Sequence, residues 1–210
     1  MVWDRFRMFR VGRSDRPDAV RMEGTGAKRY LSGNGFAERM ARRRPKLLWE
    51  TMDAGKGYSS PVIVGDRLYL TGMNEDETQE IFSAYTLDGK KVYEVAYSAP
   101  WGDTYPETRT TPAIDGDKAY VISGSGEIVC LDIKDGKIVW KVDGGNIYGR
   151  KTGNWGTSEC PLVYDDKVIY TPAGDQTTMV ALNKDTGELI WKTESFGDYG
   201  RLCLSDIDIL

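Results

Sequence analysis

The chain has 210 residues, of which 40% are hydrophobic and 29% charged, a balance typical of a globular protein rather than a disordered one. It contains no histidine, which excludes Ser–His and Cys–His nucleophile pairs, a histidine general base and histidine metal ligands. No apolar run approaches the roughly 18 residues of a membrane-spanning helix, and the net charge of −4 gives no reason to expect a nucleic-acid partner.

The charge is divided unevenly along the chain. Residues 1–44 hold 11 arginines and one lysine against five acidic residues, a net +7, so the other residues carry −11 (−4 minus 7). No apolar stretch follows this basic start, so it does not have the pattern of a signal peptide. It also lacks sustained apolar periodicity, and we therefore predict a basic, poorly patterned and loosely docked N-terminal extension over 1–44.

Two sequence patterns repeat from Pro45 onward. In the first, a proline is followed by an aspartate five residues later and by a tyrosine or isoleucine eight residues later; its copies are 60–69, 111–120 and 160–169. The second is a turn that contains glycine, followed by an aromatic anchor; its copies are 84–93, 131–140 and 181–191. The anchors stand at 49, 93, 140 and 191. A period of roughly 40–50 residues in strand-rich sequence is typical of propeller blades.

Turn chemistry divides each repeat into four strands. In the first repeat we predict strands at 60–64, 67–72, 81–86 and 91–96, with Asp88-Gly89 as a tight hairpin turn. The sequence thus predicts blades at about 58–96, 109–143 and 158–194, and a strand at 47–51 that belongs to a preceding blade. Alternation places Ile138, Trp140 and Val142 on one face, so the aromatic anchors are predicted to pack between blades.

The second pattern carries a family resemblance. Residues 181–191, Ala-Leu-Asn-Lys-Asp-Thr-Gly-Glu-Leu-Ile-Trp, resemble the tryptophan-docking motif of the PQQ-like (pyrroloquinoline-quinone-like) β-propeller repeat family, and 131–140 and 84–93 are further copies. The resemblance covers 45–194 and implies an all-β, partial β-propeller with about three four-stranded antiparallel blades plus one strand. Residues 195–210 are an off-pattern tail. We interpret the chain as a piece of a longer propeller; the alternative is self-association through open blade edges.

The resemblance leaves two function classes open. One is a non-catalytic binding or scaffold module; the other is part of a quinone-dependent alcohol dehydrogenase. The dehydrogenase would require an adjacent cysteine pair, a Ca²⁺ site and an aspartate base, whereas Cys130, Cys160 and Cys203 are far apart in sequence. We therefore predict no catalytic residue, metal or cofactor, and PQQ with Ca²⁺ only under the alternative. The family also implies a periplasmic or extracellular location.

A binding site is expected on the propeller rim, where loops lead into the first strand of each blade. Aromatic and charged residues converge there and would hold a protein or a polar, carbohydrate-like ligand. The candidates are Tyr58, Trp101, Tyr105, Arg109, Trp155 and Glu159. The alternative is that Arg109 and Glu159 pair with each other or with backbone, while the tryptophans pack blades together. Cys130 and Cys160 are predicted to be small buried hydrophobic residues, with a disulfide between them left open.

Overall fold

The computed structural model describes residues 6–10, 20–22, 46–102, 104, 106–150 and 156–196. These residues form three four-stranded antiparallel sheets, as the repeat pattern predicts, and one three-stranded sheet. A single short helix, α1 (Gly144–Ile147), occurs among them. No helix in this described part is long and apolar enough to cross a membrane.

The three-stranded sheet joins the N-terminal region to the strand predicted at 47–51. It contains β1 (Phe6–Arg10), β2 (Val20–Met22) and β3 (Lys46–Thr51), in the order β2-β1-β3. Both pairings are antiparallel. The basic extension predicted over 1–44 therefore supplies two strands to this sheet. Strands of five and three residues are too short to show a sustained alternation, so the sequence pattern does not predict them.

Each four-stranded sheet is a blade whose strands follow one another in chain order. Blade 1 consists of β4 (Val62–Val64), β5 (Arg67–Met73), β6 (Glu80–Thr86) and β7 (Lys91–Ser98). Blade 2 consists of β8 (Ala113–Asp115), β9 (Lys118–Ile122), β10 (Ile128–Asp132) and β11 (Ile138–Val142). Blade 3 consists of β12 (Leu162–Tyr164), β13 (Lys167–Tyr170), β14 (Val180–Asn183) and β15 (Leu189–Lys192).

Glycine makes the hairpin turn between the third and fourth strand of every blade. Gly89, Gly136 and Gly187 have φ angles of 88°, 76° and 75°, a left-handed conformation that glycine adopts without steric cost. Each of these glycines also faces an aromatic anchor of the preceding sheet. A Cβ atom on Gly187 would lie 2.8 Å from the Trp140 ring, so the absence of a side chain lets the indole approach the turn.

The aromatic anchors connect each sheet to the next, which confirms their predicted packing role. Trp140 Nε1 donates to the carbonyl of Lys184 at 2.9 Å, across the junction between blades 2 and 3. The other two junctions have the same kind of bond. In these, Trp49 Nε1 donates to Leu87 O and Tyr93 Oη to Ile133 O, both at 2.8 Å.

Hydrophobic clusters fill the spaces between the sheets. The cluster between blades 2 and 3 includes Tyr120, Cys130 and Trp140, and the ring centroids of Tyr120 and Trp140 are 6.0 Å apart. Cys130 is buried as predicted. The prediction for Cys160 was wrong: this thiol is exposed, because it lies just before the first strand of blade 3, outside the packed interior. Both cysteines are free, so the disulfide left open by the sequence is not formed.

Candidate functional site

The loops that lead from one blade into the next lie at one end of the sheets, which we call the loop face. It comprises segments 99–112 and 143–161, as far as they are described, and the β9–β10 turn at 123–126. Tyr58 lies at this end and its N–H donates to the carbonyl of Thr108 at 2.7 Å. Its side chain is 64% exposed. The structure therefore places an exposed aromatic beside the chain segment that carries Arg109.

Gly124 connects three successive blades on the loop face. Its N–H donates to Glu80 Oε1 of blade 1 at 2.7 Å. Its carbonyl accepts from Arg150 Nη2 at 2.6 Å and from the N–H of Thr157, which leads into blade 3, at 3.1 Å. Both backbone polar groups of one residue in blade 2 are thus held by neighbours on either side. Hydrogen bonds to charged groups are stronger than neutral ones, so this arrangement fixes the loops relative to one another.

Trp101 packs against the residues around Gly124. Its ring centroid lies 5.2 Å from the guanidinium carbon of Arg150, a distance suited to a cation–π contact. Gly156 packs against the other part of the indole, since a Cβ atom there would come within 3.1 Å of the ring. Trp101 is half-buried, and its Nε1 is a buried donor that has no hydrogen-bond partner among the described residues. Burial also lowers the pKa of Arg150 to about 10, which leaves the guanidinium charged at neutral pH.

Glu80 is a fully buried carboxylate at the start of β6. In addition to the bond from Gly124, its Oε2 accepts from the Tyr97 hydroxyl at 2.6 Å. Desolvation raises the pKa of Glu80 to about 7, although both hydrogen bonds and the positive charge of Arg109 act in the opposite direction. The group therefore changes its charge near neutral pH.

Glu159 is a second carboxylate, half-buried in the segment that leads into β12. Its oxygens accept from the Thr171 N–H, at 3.0 Å each, and from the Thr171 hydroxyl at 2.7 Å. Desolvation raises the pKa of Glu159 to about 7 against the effect of these bonds. Glu159 thus joins the chain before the first strand of blade 3 to the end of its second strand.

Blades 1 and 2 contain an equivalent hydrogen bond in the same register, which we call the latch. Ser59 Oγ accepts from the N–H of Thr71 at 3.3 Å, and Thr110 Oγ1 donates to the carbonyl of Ile122 at 2.6 Å. Each latch joins the residue two positions before the repeated proline to the residue twelve positions later. Glu159 therefore occupies a structural position of the repeat, which is filled by hydroxyl side chains in the other two blades.

The predicted rim residues are only partly brought together. Trp101 and Glu80 both adjoin Gly124, and the charge of Arg109 acts on Glu80, while Glu159 bonds to Thr171. Tyr105 and Trp155 lie outside the described residues. Neither Glu80 nor Arg150 belongs to a repeated motif, so the repeat pattern does not predict them. Arg150 is one of only four arginines after Arg44, and this scarcity is a signal that could have pointed to it.

The chemistry of the loop face is that of hydrogen bonding and stacking. Among the described residues, no group of three or more Cys, Asp or Glu side chains is placed to hold a metal ion. The thiol of Cys130 is not activated as a nucleophile, because burial raises its pKa to about 12. The exposed Tyr58 and the fixed loops around Gly124 form a surface suited to binding.

Comparison with known proteins identifies the repeat. Residues 18–143 and 80–206 match the family model for PQQ-like repeats that is described as outer membrane protein assembly factor BamB. The BamB of Alkalilimnicola ehrlichii is 24% identical over 143 residues, which cover 66% of this chain and 33% of that protein. A quinoprotein ethanol dehydrogenase of Pseudomonas aeruginosa is 30% identical over 112 residues, 50% of this chain and 16% of the enzyme.

A solved structure supports the architecture. The crystal structure of BamB from Moraxella catarrhalis superposes with a TM-score of 0.51 at 22% identity, over 70% of this chain and 40% of BamB. This similarity shows the β-propeller fold. The chain spans about a third of the length of the curated BamB relative and a smaller part of the dehydrogenase.

Proposed function

The chain belongs to the PQQ-like repeat family of β-propellers, and on that basis we propose that it is a non-catalytic binding module which holds a protein partner on its loop face. The observation that carries this proposal is the fixation of Gly124 by Glu80, Arg150 and Thr157, from both sides of its blade. A surface whose loops are already fixed loses little conformational entropy when a partner binds. The exposed Tyr58 ring offers contact area on that surface.

The relatives support the kind of partner and the compartment that we propose. One relative is named as an outer membrane protein assembly factor, a role that depends on contacts with other proteins. We propose a periplasmic or extracellular location for this chain, and a protein or a polar, carbohydrate-like ligand on the rim. The module would act as part of a larger propeller, in which Trp191, 36% exposed here, packs against a further turn.

Photo-crosslinking tests this proposal. Tyr58 is replaced by p-benzoylphenylalanine in the full chain, expressed in the cell that produces it. Tyr164 is the matched control, because it is another exposed tyrosine (49%) but lies at the end of β12 away from the loop face. We expect a discrete adduct from position 58 and none from position 164, as judged by electrophoresis and mass spectrometry. Equal adducts at both positions, or none at position 58, would contradict binding at the loop face.

A second candidate function is part of a quinone-dependent dehydrogenase, favoured by the 30% identity to the ethanol dehydrogenase. The residues at the loop face do not fit the cofactor's Ca²⁺. Ca²⁺ takes six to eight oxygen ligands, whereas no three Cys, Asp or Glu side chains of the described residues come together to hold a metal ion, and Glu80 and Glu159 each serve as acceptors for protein donors.

Titration with the cofactor separates the two functions. We expect the absorption spectrum of PQQ mixed with the protein and Ca²⁺ to equal the sum of the separate spectra. The matched mixture contains Mg²⁺ instead of Ca²⁺, since this smaller ion requires a different coordination geometry. A spectral change that requires both the protein and Ca²⁺ would favour the dehydrogenase and count against a purely binding role.

A further inference from the structure

Glu80 occupies an unusual position for a carboxylate. It is fully buried between blades 1 and 2, and the loop it holds in turn binds Arg150 and Thr157. One side chain of blade 1 is therefore connected, through the single residue Gly124, to the segment that enters blade 3. A change in the hydrogen bonding of Glu80 has a direct path to the whole loop face.

We propose that Glu80 is a proton-operated clamp: its charged form holds the Gly124 loop tightly, and protonation loosens that loop together with Arg150 and Thr157. This deepens the proposed function, on which it rests, by naming how partner binding at the loop face is regulated. The charged carboxylate accepts from Gly124 N–H and Tyr97 Oη with charge assistance. A protonated carboxyl group keeps one acceptor for Gly124 but loses that assistance and the attraction of Arg109.

The groups around Glu80 determine its response to pH. Tyr97 faces it from β7, Arg109 from the segment before β8, and Glu127 from the residue before β10. The charge of Arg150, which follows α1, also acts on it. Glu127 is in turn paired with Lys141 of β11 at 2.8 Å. Burial dominates these influences and brings the pKa of Glu80 to about 7. The clamp would therefore respond between about pH 6 and pH 8.

The sign of the effect separates the clamp from general unfolding. The folded-state pKa of Glu80 lies above its ordinary value of 4.5, so protonation is favoured in the folded protein and the buried charge opposes folding at high pH. The stability that Glu80 contributes is therefore fully present below about pH 4.5 and decreases as pH rises toward 7. On acidification the Gly124 loop should loosen while the whole protein becomes more stable, the opposite of acid denaturation.

Amide NMR of the full chain tests the clamp without a partner. We expect the Gly124 amide shift to titrate near pH 7 and to become independent of pH in Glu80→Gln, which resembles the protonated form. After correction for intrinsic rates, hydrogen exchange of the Thr157 amide should be roughly fivefold to tenfold faster at pH 6 than at pH 8. In Glu80→Gln it should be fast at both. Glu159→Gln is the matched control, because it should alter the titration of the Thr171 amide and leave Gly124 unchanged.

Crosslinking at position 58 then connects the clamp to binding. We expect a higher adduct yield at pH 8 than at pH 6, with the difference abolished by Glu80→Gln. A Gly124 amide that does not titrate, or Thr157 exchange that is equal at the two pH values, would overturn the clamp. Adduct formation independent of pH would overturn the regulation while leaving the binding proposal intact. If position 58 forms no adduct at any pH, the proposed function and its regulation both fail, whereas the NMR result still decides the clamp itself.

Discussion

Replacing Trp140 with alanine is expected to lower the free energy of unfolding by about 3–5 kcal/mol, as for other large aromatic residues in a packed interior. The indole is 9% exposed, contacts Tyr120 and the Gly187 turn, and donates to the carbonyl of Lys184. The substitution leaves a cavity between blades 2 and 3 and removes one of the two hydrogen bonds to the Lys184 carbonyl, which keeps the bond from the Tyr120 hydroxyl at 3.2 Å. For a chain of this size, the loss corresponds to a fall in melting temperature of roughly 6–20 °C, measured by circular dichroism.

Trp191→Ala is the matched control for this substitution. It removes the same side chain from the equivalent position of the following blade, but Trp191 is 36% exposed. We expect a loss of about 1 kcal/mol, since less apolar surface returns to water. Trp140→Phe separates the indole N–H from the ring and should cost less than alanine. An equal loss for Trp140→Ala and Trp191→Ala would show that the junction between blades 2 and 3 does not depend on the anchor.

Gly187→Ala is expected to destabilise the same junction from the other side. Gly187 has a φ angle of 75°, and alanine in this conformation costs about 1–2 kcal/mol. In addition, the new Cβ atom would lie 2.8 Å from the Trp140 ring, which forces the indole away from the turn. We expect a total loss of about 2–4 kcal/mol, measured by urea unfolding.

Gly116→Ala isolates the backbone part of this cost. Gly116 also has a positive φ angle, 57°, but a Cβ atom there would meet nothing within 4 Å. Only the conformational cost should appear, so the difference between the two variants measures the anchor contact. In a Trp140→Ala background, Gly187→Ala should then cost no more than Gly116→Ala. If the additional loss persists without the indole, the close approach of ring and turn is not its cause.

Most of the fold could be predicted from local sequence chemistry. Asp88-Gly89 and its counterparts define the hairpins, the repeated proline marks the start of each blade, and the anchors at a regular period indicate where blades meet. These features depend on a few neighbouring residues and on turn geometry, both of which the sequence displays directly.

The loop face could not be predicted in the same way. Glu80 and Gly124 are 44 residues apart in sequence and meet only because two blades pack together. Arg150 reaches the same glycine from a third segment, and no spacing rule connects the three residues. The repeat pattern also gave no information on Cys160, since its exposure depends on how the preceding loop leaves the sheet. A repeat pattern predicts only what every blade shares, so it cannot predict contacts that occur at a single junction.

The form of the inter-blade junction has a consequence for how such proteins grow during evolution. At every junction, one sheet contributes an aromatic side chain, whereas the next contributes a backbone carbonyl and a glycine. Every residue has a backbone carbonyl, so the blade that accepts the aromatic side chain needs little more than the glycine turn between its third and fourth strands. At the anchor itself, a gene segment that encodes one blade can therefore be duplicated or exchanged with few compensating changes in its neighbours. Diversification is left to loops such as those around Gly124, where each junction has its own contacts.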